Sequence, residues 1–76
     1  MTDVPALKTE RVRIEKWRED NLDKVGTAEF RRSTLVHRLL IDLIERGGGS
    51  SEERAYVMRE MTAIHEGKRD GETAGR

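Results

Sequence analysis

The apolar residues of this chain are concentrated in one segment, Arg31 to Gly47, where they recur with the spacing of an amphipathic helix. Large aliphatic side chains occupy positions three and four residues apart, namely Leu35, Val36, Leu39, Leu40, Leu43 and Ile44. Ser33 or Thr34 is suited to the N-cap, because a short side-chain oxygen accepts from the free backbone N–H groups of a first turn. Gly47 is suited to the C′ position, which favours left-handed backbone. The segment therefore predicts the main helix of the chain.

The residues before this helix have two interpretations. From Lys8 to Glu15, Val12 and Ile14 alternate with polar residues, and period two is typical of a half-buried strand. The alternative is one helix from Pro5 to Val25. Its apolar side would carry Leu7, Ile14, Trp17, Leu22 and Val25. A strand places Val12 and Ile14 on one face, whereas a helix separates them by about 200° and exposes Val12. We expect the strand and keep the helix as the alternative.

A short helix is expected between this strand and the main helix. Trp17, Leu22 and Val25 share one side of the segment from Lys16 to Gly26, and the glycine is a plausible end point. The connection that follows contains Phe30, whose ring would cover the end of the core.

The remaining segments have weaker apolar patterns. Residues 1–7 are expected to be a flexible lead, and residues 47–51 a Gly/Ser hinge, because consecutive glycines raise the entropy cost of ordering. Ser50 and Glu53 have the spacing of a capping box, which predicts a C-terminal amphipathic helix over residues 52–66. Residues 67–76 are charged and glycine-rich, and we expect them to be disordered.

Length and composition limit the possible functions. A chain of 76 residues buries a small core, and such chains commonly gain stability from disulfides, metals or oligomers. There is no cysteine, and His37 and His65 are too far apart in the sequence to make a metal site, so oligomerisation is the expected source of extra core. We expect no cofactor. The sequence also lacks the nucleophile, phosphate-loop and paired-carboxylate patterns of enzymes, and we expect no enzymatic activity. With 39% charged residues and no long apolar run, the chain is predicted to be cytoplasmic, without membrane contact.

Charge is sorted locally, although fifteen basic and fifteen acidic residues cancel overall. Between Lys8 and Arg18, five basic residues stand against two acidic ones, a local balance of +3. Further arginines open the main helix. This distribution is compatible with a small basic face that contacts nucleic acid.

The order of strand, short helix, glycine and longer helix resembles the ribbon-helix-helix family of bacterial and phage DNA-binding proteins. The resemblance covers Lys8 to Arg46. The residues that carry it are the Arg11-Val12-Arg13-Ile14 alternation, the helix with Trp17, Leu22 and Val25, and the Arg32-Ser33-Thr34-Leu35-Val36 opening followed by Leu39-Leu40. It implies a mainly α fold over residues 8–46, in which the N-terminal strands of two chains pair antiparallel in an intertwined homodimer.

In that family the two-stranded ribbon enters the major groove of double-stranded DNA. The resemblance implies base contacts from the outward-facing residues Thr9, Arg11 and Arg13. It implies phosphate contacts from the start of the main helix, at Arg31, Arg32, Ser33 and Thr34. The shared dimer core would comprise Val12, Ile14, Trp17, Leu22, Val25, Leu35, Val36, Leu39, Leu40 and Leu43.

The sequence-based hypothesis is therefore a nucleoid-associated, homodimeric, sequence-specific DNA-binding protein. A small transcriptional repressor is the leading form, and an antitoxin or a relaxosome accessory protein would use the same domain. The C-terminal helix could bind a protein partner or join dimers on DNA. A different class of function remains open, namely an all-helical protein–protein interaction module without DNA binding.

Overall fold

The N-terminal part of the protein is helical where the alternation predicts a strand. The structure, a computed structural model, describes residues 4–66. Helix α1 spans Val4–Asp20 and is followed by a 3-10 turn at Leu22–Lys24. Helix α2 spans Ala28–Glu45, and helix α3 spans Ser51–Glu66. Residues 4–66 thus contain three α-helices and no strand. The predicted ribbon-helix-helix fold, with its strand over residues 8–15 and its strand-paired, intertwined homodimer, is wrong.

Two residues of α1 show why the helix forms. Ile14 is fully buried, whereas Val12 is 58% exposed, which is the separation that the helical alternative predicts. Ile14 shares its buried face with Leu7 and Glu10, at helical spacings of seven and four residues. The alternation around Val12 involves only two apolar positions, and a helix with Leu7 and Ile14 on one face buries more apolar surface than a lone strand could. The helical alternative still overestimates the length, since α1 ends at Asp20 and not at Val25.

Helix α2 begins earlier in the chain than the sequence predicts. The hydroxyl of Thr27 accepts from the backbone N–H of Phe30 at 3.2 Å, so Thr27 is the N-cap. Ser33 and Thr34 lie inside the helix, and their hydroxyls donate to the carbonyl oxygen of Phe30 at 2.6 and 3.1 Å. The prediction that Ser33 or Thr34 caps this helix is therefore wrong.

The turn between α2 and α3 is stabilised from both sides. Gly47 has φ of 81°, as predicted for the C′ position, and its N–H donates to the carbonyl of Ile44. The N–H of Gly48 donates to the carbonyl of Leu43 at 2.7 Å, which completes a Schellman motif. The capping box is also confirmed, because Ser50 and Glu53 exchange backbone-to-side-chain hydrogen bonds of 2.9 and 3.1 Å.

The core forms among the three helices of one chain. Its buried members are Leu7, Ile14, Val36, Leu40, Leu43, Val57, Met61 and Ile64. Of the residues predicted for a dimer core, Ile14, Val36, Leu40 and Leu43 are buried in this cluster, and Trp17 and Leu39 pack partly buried against it. The others are exposed, namely Val12, Leu22, Val25 and Leu35. The buried leucines of α2 are thus satisfied within one chain, while Leu35 is left for another contact.

Candidate protein interaction site

A groove of about 310 Å³ opens on the surface between α2 and α3. Its lining comprises Arg32, Leu35, Val36, Leu39, Tyr56 and Glu60. Both walls are helices that are fixed by the core: Val36 on α2 is buried, and Val57, beside Tyr56 on α3, is fully buried. The groove is therefore a preformed feature of the α2–α3 packing.

Two large side chains at this groove, Leu35 and Tyr56, are exposed. Leu35 is 65% exposed and Tyr56 is 47% exposed, and Leu39 is only partly buried between them and the core. Leu35 precedes the buried Val36 by one position, so it is rotated about 100° away from the core-facing side of α2. A single exposed leucine is ordinary, but two large apolar side chains beside a groove are typical of an interaction surface.

A charged pair marks one end of the groove. The Nε of Arg32 lies 3.0 Å from Oε1 of Glu60, and the two side chains are 44% and 23% exposed. A partly exposed pair of this kind contributes little to stability. It does place one positive and one negative group next to Leu35, where they can orient a polar or charged partner.

The residues predicted to contact bases do not share one face. Thr9, Arg11 and Arg13 lie on α1 at intervals of two residues, so neighbours in this set diverge by about 200°. The guanidinium of Arg13 donates to the carboxylate of Glu10 at 3.0 Å, and Thr9 donates to a backbone carbonyl of its own helix. The outward-facing ribbon that was to present these three residues is absent from the described chain.

The residues predicted to contact phosphate differ in their exposure and do not form one surface site. Ser33 is fully buried, and Thr34 is partly buried beside it, which removes Ser33 from any surface contact. Arg31 and Arg32 are both exposed, and Arg32 is paired with Glu60. Neither hydroxyl lies at the N-terminus of α2, so the expected combination of free N–H groups and hydroxyls does not form.

Arg18 is a residue that the sequence did not single out. Its Nη1 donates to Ser33 Oγ at 3.1 Å and to Thr34 Oγ1, and its guanidinium lies 4.6 Å from the centre of the Phe30 ring. Arg18 therefore links the end of α1 to α2 through hydrogen bonds and a cation–π contact. The sequence has no pattern that separates Arg18 from the other basic residues of α1. The sequence did not single out Tyr56 either, because this sole tyrosine belongs to no recognisable motif.

Residues 4–66 contain neither a candidate metal cluster nor a candidate membrane-spanning helix. The structure contains no cluster of three or more His, Asp or Glu side chains that could hold a metal ion. In the same part of the chain, no helix combines the length and apolar character needed to cross a membrane.

No protein-family model, curated protein or solved structure matches this chain. The groove between α2 and α3, with Leu35 exposed at its edge, is the candidate functional site.

Proposed function

We propose that this protein is an all-helical protein–protein interaction module that binds a helix of a protein partner in the groove between α2 and α3. The observation that carries this proposal is the position of Leu35, a large aliphatic side chain that is 65% exposed at the edge of a groove also lined by Tyr56. Burying Leu35 and Tyr56 against a partner would remove apolar surface from water, which is the main driving force of association.

The shape of the groove favours a helix as its occupant. Two helices, α2 and α3, form its walls, and a third helix can pack its side chains between the ridges of such a pair. Recognition of this kind uses a few apolar anchors spaced along one face of the bound helix. The pair formed by Arg32 and Glu60 at the rim would add orientation and selectivity more than affinity.

DNA binding stays a prediction from the sequence. The arrangement of the predicted DNA-contacting residues favours it less than the groove favours a protein partner. Of the proposed base-contacting residues, Arg11 lies on the side of α1 opposite to Thr9 and Arg13. Arg13 and Arg32 each have a carboxylate partner. The roles of repressor, antitoxin and relaxosome component depend on the same DNA interface.

A photo-crosslinking experiment tests the proposal. Benzoylphenylalanine replaces Tyr56 in the full chain, and in a matched control it replaces Glu19, which is exposed on α1. We expect ultraviolet light to join the Tyr56 position, but not the Glu19 position, to a polypeptide in the cells that produce the protein. The adduct should disappear in Leu35→Glu, a substitution expected to change the free energy of unfolding by less than about 0.5 kcal/mol because the side chain is exposed.

Three outcomes would contradict the proposal. The first is an absence of polypeptide adducts from the Tyr56 position, and the second is an adduct with nucleic acid alone. An adduct that persists unchanged in Leu35→Glu would also show that the groove is not the docking site.

A further inference from the structure

We infer that the occupant of the groove is helix α2 of a second copy of this chain, packed antiparallel against the first. This inference depends on the proposed function, because it names the partner of the same groove. The contact would be made by a line of residues along α2, which we call the α2 seam. The seam comprises Ala28, Arg32, Leu35, Leu39, Asp42 and the C-cap residue Arg46.

The α2 seam has the spacing of a helix-pairing face. Its positions are separated alternately by four and three residues, which is the repeat that keeps one side of a helix facing a partner helix. Leu39 is partly buried, and the other five residues are exposed. The core-facing residues Val36, Leu40 and Leu43 lie on a neighbouring side of the same helix, so the seam is available while the core is intact.

The seam is complementary to itself when the second copy runs antiparallel. With a two-fold axis at the level of His37, midway between Leu35 and Leu39, each Leu35 faces Leu39 of the other copy. The same register sets Arg32 of each copy opposite Asp42 of the other, so the dimer contains two such pairs. Ala28 faces Arg46, so its small side chain leaves room for the arginine. Apolar contacts therefore lie near the axis, with opposite charges on either side of them.

The groove completes this arrangement. Because Leu35 stands at the edge of its own groove, a two-fold axis beside it can place Leu35 of each copy in the groove of the other, next to Tyr56. One patch then supplies both the protruding side chain and the cavity that receives it, and such a contact closes as a dimer. A different partner helix would need to reproduce both the leucine and the charge order, whereas a second copy has them already.

The charges of the seam already take part in pairs within the chain. Arg32 pairs with Glu60 at 3.0 Å, and Asp42 pairs with Arg46 at 2.8 Å. Arg46 also pairs with Glu53 at 2.9 Å. A second copy would join these pairs into a network of five charges on each side of the axis, and networks contribute more than isolated surface pairs. Arg38, on the flank of the seam, would meet its own copy near the axis, so its charge opposes association.

The first experiment measures the mass of the purified full chain by sedimentation equilibrium. At about 100 µM, a concentration at which a micromolar dimer is mostly assembled, we expect the mass of two chains. Leu35→Glu should give a monomer. Val12→Glu is the matched control, because Val12 is similarly exposed but lies on α1, and it should leave the dimer intact. Arg38→Gln should dimerise at least as well as the unmodified chain.

The second experiment tests the register through a charge exchange. Arg32→Asp alone places two aspartates opposite each other at both ends of the seam, and Asp42→Arg alone does the same with two arginines. We expect each variant to dimerise at least about tenfold more weakly, since each reverses two pairs. A mixture of the two variants should form a heterodimer of restored affinity. In that heterodimer the aspartate introduced by one substitution faces the arginine introduced by the other, and the unmodified Arg32 and Asp42 still face each other. Circular dichroism checks that both variants remain helical.

The outcomes separate this inference from the proposed function. A chain that stays monomeric at about 100 µM overturns the inference, as does a mixture that fails to recover the affinity lost by folded single variants. If the crosslinker at Tyr56 then joins a different polypeptide, the proposed function stands with another partner. If it joins no polypeptide, both fail. Self-adducts from Tyr56, together with recovery in the mixture, support both.

Discussion

Arg46 and Glu53 form a salt bridge between the C-cap of α2 and the first turn of α3. The Nη2 of Arg46 donates to Oε2 of Glu53 at 2.9 Å, and the backbone N–H of Ser50 donates to the other carboxylate oxygen at 2.9 Å. These hydrogen bonds, with that from Arg46 contributing most, lower the pKa of Glu53 from 4.5 to about 2. The hydrogen bond with Glu53, followed by that with Asp42, raises the pKa of Arg46. This corner of the fold therefore depends on ionised carboxylates.

Glu53→Gln should therefore remove a pH-dependent part of the stability. Because the pKa of Glu53 is lower in the folded state, its contribution is present above pH 4.5 and is lost as the pH falls towards about 2. We expect the variant to be less stable than the unmodified chain at pH 7, with the gap closing across that interval. Urea denaturation at several pH values measures the gap. The control is Glu52→Gln, at the exposed neighbouring position, and a gap of constant size would contradict the assignment.

Gly49→Ala should destabilise the protein more than Gly47→Ala. Both glycines have positive φ, so both substitutions carry the backbone cost of a left-handed residue, about 1 kcal/mol. A Cβ at Gly49 would also collide with Leu43 and lie 2.8 Å from a carboxylate oxygen of Glu53, whereas a Cβ at Gly47 meets nothing within 4 Å. The difference between the unfolding free energies of the two variants gives the energetic cost of the collision at position 49. Equal losses would mean that the turn can move away from Leu43.

Ile14→Ala and Val12→Ala test the conformation of the N-terminal segment. Ile14 is fully buried, so its truncation should cost about 2–5 kcal/mol. Val12 is largely exposed on the other side of α1, and its truncation should change the free energy of unfolding by less than about 0.5 kcal/mol. Thermal or urea denaturation of the two variants is sufficient. Similar losses at both positions would favour a strand with Val12 and Ile14 on one face.

Arg18→Ala should weaken the contact between α1 and α2. The substitution removes the hydrogen bonds to Ser33 and Thr34 and the contact with the Phe30 ring. We expect a loss of about 1.5–4 kcal/mol in the free energy of unfolding, since two hydrogen bonds of about 0.5–1.5 kcal/mol each and a partly exposed cation–π contact of about 0.5–1 kcal/mol are removed. Arg31→Ala, at an exposed position of α2, is the control. A loss no larger than that of the control would show that Arg18 is dispensable for packing.

The helix ends were predictable where one residue type is strongly preferred for a physical reason. Gly47 occupies a left-handed position that glycine adopts without steric cost, and Ser50 with Glu53 forms the reciprocal bonds of a capping box. The start of α2 was not predictable in this way. Thr27 and Ser33 are both good caps by residue type, and in the structure Thr27 is the cap while Ser33 is fully buried inside the helix.

The predictions for the N-terminal segment and for the functional site depended on contacts between helices, which a local sequence pattern does not contain. The alternation of Val12 and Ile14 favours a strand locally, and the helix forms because of contacts with α2 and α3 that the local pattern does not contain. The sequence assigned the leucines of α2 to a dimer core, whereas Leu40 and Leu43 are buried against residues of α1 and α3 in the same chain. The groove depends on Tyr56 and Glu60 of α3, which approach Leu35 only after α2 and α3 have packed together.

The contacts of Arg54 also determine where the chain can be cut or extended in the laboratory. Its Nη1 donates to the carbonyl oxygens of Gly48 and Gly49 at 3.1 and 2.7 Å, and Gly48 is buried. A reporter domain inserted among these glycines would have to break those bonds, although their sequence looks like an engineered linker. The turn at Gly26 is exposed and has open space around it, so it is the better position for an insertion or a circular permutation.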